Sequence, residues 1–555
     1  MAGQSQAARV SEPTPTDEPR RSGGLRTPIQ QHPDLVAGVI VAMGFVWRLW
    51  RAQATFFNTD EAWHFSLANQ NSLAAAYRAS LTLVHPPLLI FVLYYWRHLG
   101  TSNLVLRLPS VLAGTLLCWV FYKWLSRVFG RGVGWVGLIF ITFLPPWIAL
   151  SAELRQYPLM LLFVVASACL LEGALARNSV GRMIGSSLCL YLAMFSHYSA
   201  FLFAAAVGIY AILKMILERP RRAVVATWTA GQVVGAGLAA FFYFTHISSL
   251  GGVYAGAEPL HNFADWYLSD WYFHAGRDHL LPFLYRGSFG IFRFAFGQTA
   301  VGQLAALLFI TGVCMLVLGR PAAARLPPPS TAVLLVAPFA LNWVAVGAGL
   351  YPYGRTRQCV YLGLFAVAGV SAALSILSGE RRAVALPLAL GMVIACQARG
   401  TLQGRDMLPL TDQLHQHMDE AVQFIRDHIT PGDVIFTDQA TSFELRHYLC
   451  RQKPVTLRTL PAGFETFGCQ GFTVIITPVG DGALTADSLA ARWREGSAFE
   501  PPAGTRVWVV QGAWATGLGE TLRSMPEFDQ LEVHSFGRYF EVFQFPQRPA
   551  PSPQR

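Results

Sequence analysis

Over 555 residues the chain is 53% hydrophobic and only 13% charged, with a mean hydropathy of +0.38. Soluble proteins carry about 25% charged residues, so this chain cannot coat a globular surface of its size, and a polytopic membrane protein is the class that fits. The net charge of +10 does not point to nucleic acid, because the basic residues stand in short clusters between apolar runs, the positive-inside pattern, and no nucleic-acid-binding motif is present.

Residues 1–34 are rich in Pro, Ser, Gln and Arg, lack apolar periodicity and read as a disordered cytoplasmic tail. The first apolar run, Leu35 to Trp50, ends in arginines without a small-residue cleavage site, which fits a retained anchor. Apolar runs at 35–53, 104–124, 133–150, 158–175, 183–196, 198–217, 223–246, 299–318, 331–350, 358–378 and 383–398 predict about eleven transmembrane helices. With the N-terminus inside, one side collects Lys123, Arg127 and Arg131; Arg177 and Arg182; Lys214, Arg219, Arg221 and Arg222; Arg320 and Arg325; and Arg381 and Arg382. That agreement requires the stretch 85–100 not to span. It is short, opens with two prolines suited to a first helical turn, and ends in Trp96, Arg97 and His98, so it is expected to lie on the outer surface.

The outer side then holds the chemistry. Its first loop, 54–103, carries Asp60, Glu61 and His85; its second carries Glu153, Arg155 and Tyr157; others carry Ser196 to Tyr198, the aromatic segment 248–298, and Tyr351, Arg355 and Arg357. Asp60 and Glu61 sit between Phe56, Phe57, Trp63 and Phe65 at the bilayer surface, where partial desolvation is expected to make a carboxylate a better base. Each group also has a bland reading: loop acids for the pair, a local ion pair for Glu153 and Arg155, interface belt for Tyr157 and for aromatics such as Trp266, Tyr267, Trp271 and Tyr272, and a helix-end histidine for His197.

From about residue 400 the pattern changes. An amphipathic helix over 412–429 is followed by a turn at Pro431-Gly432-Asp433 and strand-like runs at VIFT, 472–477, 506–511, 531–536 and 539–545, with helical stretches near 441–450 and 485–495. A small exported α/β domain over 401–545, with a short disordered tail at 546–555, fits. It has no glycine-rich phosphate loop and no nucleophile elbow, so no chemistry is assigned to it. Its Cys450 and Cys469 form either one disulfide or two separate thiols; the other six cysteines lie in or beside apolar runs and read as small core residues. His415 and His417 have no third ligand nearby in sequence.

Four motifs, NTDEAW, HPPL with RLPSVLAG, ELRQYPLMLL and YPYGRTRQCVYL, in this order and all on one side, resemble the GT-C polyprenyl-phosphate-sugar glycosyltransferases. The likeness covers roughly residues 35–400 and is to the bacterial branch that groups with protein O-mannosyltransferases and the lipid A aminoarabinose transferase, glycosyltransferase family 39-like. It implies outer-surface helices in the first loop over a membrane cavity, a lipid-linked sugar as donor, and a protein, lipid or glycan acceptor on the exported face of the plasma membrane. The family's acidic residue maps onto Asp60, with Glu61 beside it as a second catalytic candidate. A lysine of the aminoarabinose branch is His85 here. The second acidic metal motif of the oligosaccharyltransferases is reduced to Glu153, so metal-independent chemistry fits better than a divalent-metal site, and no cofactor is fixed by the resemblance.

On this reading a polyprenyl phosphate leaves easily. Asp60 takes the acceptor proton, while Arg355 and Arg357, assisted by His85 and Arg155, steady the phosphate as its charge grows. Attack opposite the phosphate inverts the sugar carbon through an oxocarbenium-like state. Two other classes stay open: a transporter or lipid flippase, against which the lack of midplane acids counts, and a non-catalytic scaffold whose exported domain does the work. Neither the sugar nor the acceptor follows from the sequence.

Overall fold

The structure, a computed structural model, describes residues 32–248, 268–318, 328–379, 381–398, 413–450, 455–459, 464–476, 506–512, 532–537 and 540–544. The chain enters the bundle as α1 (Pro33–Ala54) and then lays three short helices at one end, α2 (Thr59–Ala68), α3 (Leu73–Ser80) and α4 (Leu88–Trp96). Next come α5 (Asn103–Val128), the pair α6 (Arg131–Phe143) and α7 (Pro145–Ala152), α8 (Tyr157–Arg177), α9 (Val180–Ser196), α10 (Ser199–Glu218) and α11 (Arg222–Phe242). The bundle closes with α12 (Leu280–Phe296), α13 (Thr299–Leu318), α14 (Ser330–Gly347), α15 (Val360–Leu377) and α16 (Arg382–Ala398).

Among the described residues eight helices are long and apolar enough to cross a membrane, nine if the bent pair α6–α7 is one span, while α9 and α16 are apolar but shorter. Each of the eleven apolar runs is therefore helical, but length and composition support eight or nine crossings, not eleven. The stretch after His85 is short and helical, as expected. Unforeseen was α12, which lies in the segment read as mostly interfacial aromatics; Trp266 and Tyr267 of that segment are outside the described residues.

The break between α6 and α7, a bend of 55°, has a local cause. Pro145 and Pro146 have no N–H, so the carbonyls four residues back, of Ile141 and Thr142, lose their helical donors. Arg48 of α1 supplies them: its guanidinium donates to Ile141 O at 2.9 Å and Thr142 O at 3.1 Å. The approach is close enough that a Cβ on Gly44 would lie 2.5 Å from the Thr142 methyl. The bend turns the chain so that α7 delivers Glu153, Leu154 and Arg155 to the end where α2 lies.

The soluble domain opens with α17 (Gln413–His428), whose Met418, Ala421, Val422 and Ile425 are buried on the core of a mixed sheet. Its strands are β1 (Val434–Thr437), β2 (Arg458–Thr459), β3 (Glu465–Cys469), β4 (Phe472–Ile476), β5 (Val507–Gln511), β6 (Glu532–Phe536) and β7 (Phe540–Gln544), in the order β2-β3-β4-β1-β5-β7-β6. The centre, β4-β1-β5, is parallel and the flanks are antiparallel. After β1 the helix α18 (Gln439–Tyr448) packs Leu445 into the core of the domain and turns Phe443 and Tyr448 toward the membrane module. Cys450 and Cys469 are joined in a disulfide with a Cα–Cα distance of 5.3 Å. The helix expected near 485–495 lies outside the described residues.

Candidate active site

Helix α2 begins with a capping box. Asn58 accepts from the Glu61 N–H at 3.1 Å, and the Glu61 carboxylate accepts from the Asn58 N–H at 3.0 Å. The same carboxylate is gripped from below by Arg107 of α5, at 2.7 and 2.6 Å, with both side chains wholly buried. Arg107 spends its other donors on the carbonyls of Ala52, Thr55 and Phe56, and Leu154 N–H reaches Glu61 at 2.7 Å. Glu61 thus ties α1, α2, α5 and the turn after α7 into one knot and has no oxygen turned toward a substrate.

Asp60, one residue earlier, points the other way. Its carboxylate meets Arg155 at 2.5 Å and Arg357 at 3.9 Å, and its side chain keeps 26% exposure. Arg357 also holds Glu153 at 2.9 and 3.4 Å. Two acids and two arginines from three separate stretches therefore interlock at the mouth of the site. Burial by itself would raise the Asp60 pKa, but Arg155 and Arg357 outweigh it and hold the carboxyl below its ordinary range. The expectation that desolvation makes Asp60 a stronger base is corrected here: in this state its neighbours weaken it. Glu153, almost fully buried, goes the other way; desolvation lifts it despite Arg357.

Beneath the charges lies a layer of aromatic rings. His85 stands 5.0 Å from His197, 6.2 Å from Tyr157 and 6.3 Å from His64, centroid to centroid, and the Arg155 guanidinium sits 5.7 Å over the Tyr157 ring. Desolvation, reinforced by Arg155, pushes His64 and His197 down to about 3 and His85 well below its usual value, so the layer is neutral. His85 Nδ1, His197 Nε2 and Arg155 Nε are buried without a hydrogen-bond partner among the described residues. The rings meet in stacked, tilted and edge-on contacts, and among the described residues no group of three His, Cys, Asp or Glu is arranged to hold a metal ion.

The YPYGRTR turn is set by α12. Tyr353 N–H donates to Trp271 O at 2.8 Å, its hydroxyl pairs with Ser288 at 2.8 Å, and Gly354, at φ +136°, lets the Trp271 ring approach to where a Cβ would be 2.5 Å away. Tyr351 is spent on this turn, its hydroxyl donating to Gln358 O at 3.1 Å. The backbone of Arg355 packs on Gly290 of α12. The fold therefore brings Asp60, Glu61, His85, Glu153, Arg155, Tyr157 and Arg357 together, while Tyr351 and Arg355 share the Arg357 turn without a described contact to Asp60. Sequence reasoning passed over Arg107, which sits at the start of an apolar run where an arginine is costly, and His64, one helical turn from Asp60 with its Nδ1 2.6 Å from the Asp60 carbonyl.

Residues 84–244 match the family model described as dolichyl-phosphate-mannose-protein mannosyltransferase. In architecture the chain is similar to ArnT from Cupriavidus metallidurans in the apo state, with 13% identity and a TM-score of 0.51 over 92% of this chain and 98% of that one. The same protein bound to undecaprenyl phosphate aligns with 12% identity and a TM-score of 0.50 over the same shares. No curated protein sequence matches. The chain shares the fold of these structures, and its family-model match falls within the membrane module. The family-model match begins one residue before His85 and takes in the broken span, Glu153, Arg155, Tyr157 and His197.

Proposed function

We propose that the protein moves a sugar from a polyprenyl-phosphate carrier to an acceptor hydroxyl at the membrane face where the four short stretches meet, which we take to be the exported face. The observation that carries this reading is the interlocked set Asp60–Arg155 and Glu153–Arg357 over a neutral histidine layer. The set is internally neutralised, so its arginines have an alternative partner in an incoming phosphate. When Arg155 and Arg357 turn to the phosphate, Asp60 loses the cations that depress it and recovers basicity while the donor is in place. The acceptor O–H proton passes to Asp60, the acceptor oxygen bonds the anomeric carbon, and the bond to the phosphate oxygen breaks with inversion. The arginines hold the phosphate as its charge grows.

Glu61, with both oxygens committed, is assigned a positioning role in place of a catalytic one. Tyr157, His85 and His197 are assigned to the donor head group, where the unpartnered ring nitrogens of the two histidines would complete hydrogen bonds to sugar hydroxyls or phosphate oxygens. Undecaprenyl phosphate is bound by the C. metallidurans protein of the same fold, which supports a lipid phosphate here. The disulfide supports an oxidising compartment for the soluble domain.

The test is radiolabelled sugar release or transfer from mannosyl, glucosyl, galactosyl and arabinosyl polyprenyl phosphates by purified wild type and Asp60→Asn. Asp60-dependent turnover of one donor supports the assignment. Equal turnover by the variant removes Asp60 as the base, and movement of lipid-linked sugar across proteoliposomes without transfer would instead favour a flippase.

A further inference from the structure

The soluble domain reaches the first turn of α2. One face of α18, formed by Phe443, Glu444, His447 and Tyr448, lies over residues 57–63. Tyr448 Oη accepts from Phe57 N–H at 2.7 Å, the His447 ring stacks on Phe57 at 4.2 Å, His447 Nε2 meets Asn103 Oδ1 at 2.7 Å, and Phe443 stacks on Trp63 at 5.8 Å. At the centre, Thr59 Oγ1 donates to Glu444 Oε1 at 2.6 Å, with both residues buried. Thr59 is the residue before Asp60.

We propose that Glu444 is a positioning residue for glycosyl transfer, holding the amino end of α2 from above as Arg107 holds it from below, so that Asp60 stays in register with Arg155 and Arg357. This rests on the role proposed above for Asp60. Packing alone would not call for a carboxyl here, since an apolar side chain fills a buried interface without a desolvation cost. Glu444 Oε2 has no partner among the described residues, and Gly512 and Phe540 close the space around it: a Cβ on Gly512 would lie 3.2 Å from Oε2 and 3.0 Å from the ring. A half-satisfied buried acid retained at a domain contact, one residue from the candidate base, is the kind of local conflict that marks function.

The groups around it are Asp438 at the start of α18, His447 and Tyr448 a turn further on, and, beyond Thr59, Glu61 with Arg107. Burial, with Asp438 adding, lifts the Glu444 carboxyl to about 8, against the pull of the Thr59 bond. It is therefore mainly neutral at pH 7 and ionises in mild alkali, where the Thr59 hydroxyl donates to a charged oxygen and the contact with α2 is kept.

The full chain is assayed with whichever of the four polyprenyl-phosphate sugars the wild type consumes fastest. Glu444→Ala and Thr59→Val are each expected to lower kcat at least tenfold with the donor KM within twofold, and the double variant to fall no further than the worse single one. Glu444→Gln, which keeps a neutral acceptor, should retain kcat within threefold at pH 7, whereas Glu444→Ala should not. Wild-type kcat in Thr59→Val, or a Glu444→Gln enzyme as impaired as Glu444→Ala, overturns the proposal. Thr59→Val removes a single hydroxyl and so decides the matter even where Glu444→Ala does not fold. If Asp60→Asn is inactive while Thr59→Val is normal, only the role of Glu444 fails; if Asp60→Asn is active, the reading beneath it fails.

Discussion

Asp60 and Glu61 are neighbours in the chain and opposites in the fold. Glu61 is wholly buried, and both its oxygens are taken by Arg107, Leu154 N–H and its own cap. Asp60 keeps a quarter of its side-chain surface and shares Arg155 and Arg357 with nothing rigid between them. A carboxylate that must hold a fold is saturated with donors from several elements. One that must react is paired with cations that another anion can draw away. The contrast separates scaffold from chemistry more sharply than proximity does.

Asp60→Asn should break the reactive half: transfer falls about 10²- to 10⁴-fold, the usual worth of a general base, with a smaller loss of stability than Arg107→Met causes. Arg107→Met should break the structural half by leaving Glu61 as an uncompensated buried charge. A loss of about 3–5 kcal/mol is expected in thermal or denaturant unfolding in detergent, and Glu61→Gln on top of it should recover part of that loss. No second substitution at Arg155 should restore activity to Asp60→Asn, and recovery by Asp60→Asn/Arg155→Gln would collapse the distinction. Arg357→Lys keeps the charge but loses the fork that spans Glu153; the loss of one charge-assisted hydrogen bond, about 1.5–3 kcal/mol, predicts a ~10–100-fold drop in kcat/KM.

The smallest effect is on pH. The depressed Asp60 pKa gives stability that is complete above the unfolded carboxyl value and is lost as pH falls through the lower folded one, so the Asp60 contribution disappears only in strong acid. Arg155→Gln should move both the acid limb of kcat/KM and the onset of acid unfolding upward. An unmoved limb would show that Asp60 does not set it.

Much of the bundle was legible because apolar runs and arginine clusters report directly on burial in lipid. The strands from Val434 to Gln544 were legible from alternation, although β2 and β3, one very short and the other holding Gly468, were not. The membrane-side motifs stood out because they put polar residues where the sequence is otherwise apolar, and the fold gathers them at one end. What stayed hidden was pairing. That Glu61 faces Arg107 while Asp60 faces Arg155 depends on where α2 turns, and the link from Thr59 to Glu444 joins residues 385 positions apart. The helix α12 was obscured because its aromatics and glycines read as interface, whereas Gly287 and Gly290 are the notches into which the Arg357 turn fits.

The donors that Arg48 lends to Ile141 and Thr142 have a consequence for biogenesis. α1 carries an arginine into the bundle, and its acceptors, almost a hundred residues later, are synthesised after it. The third span in turn arrives with two bare carbonyls. Each segment is a poor membrane helix alone and a good one in the other's company, so insertion of the first is completed by synthesis of the third. Pulse-labelled truncations ending before Pro145 should therefore anchor less firmly than those that extend past Ala152.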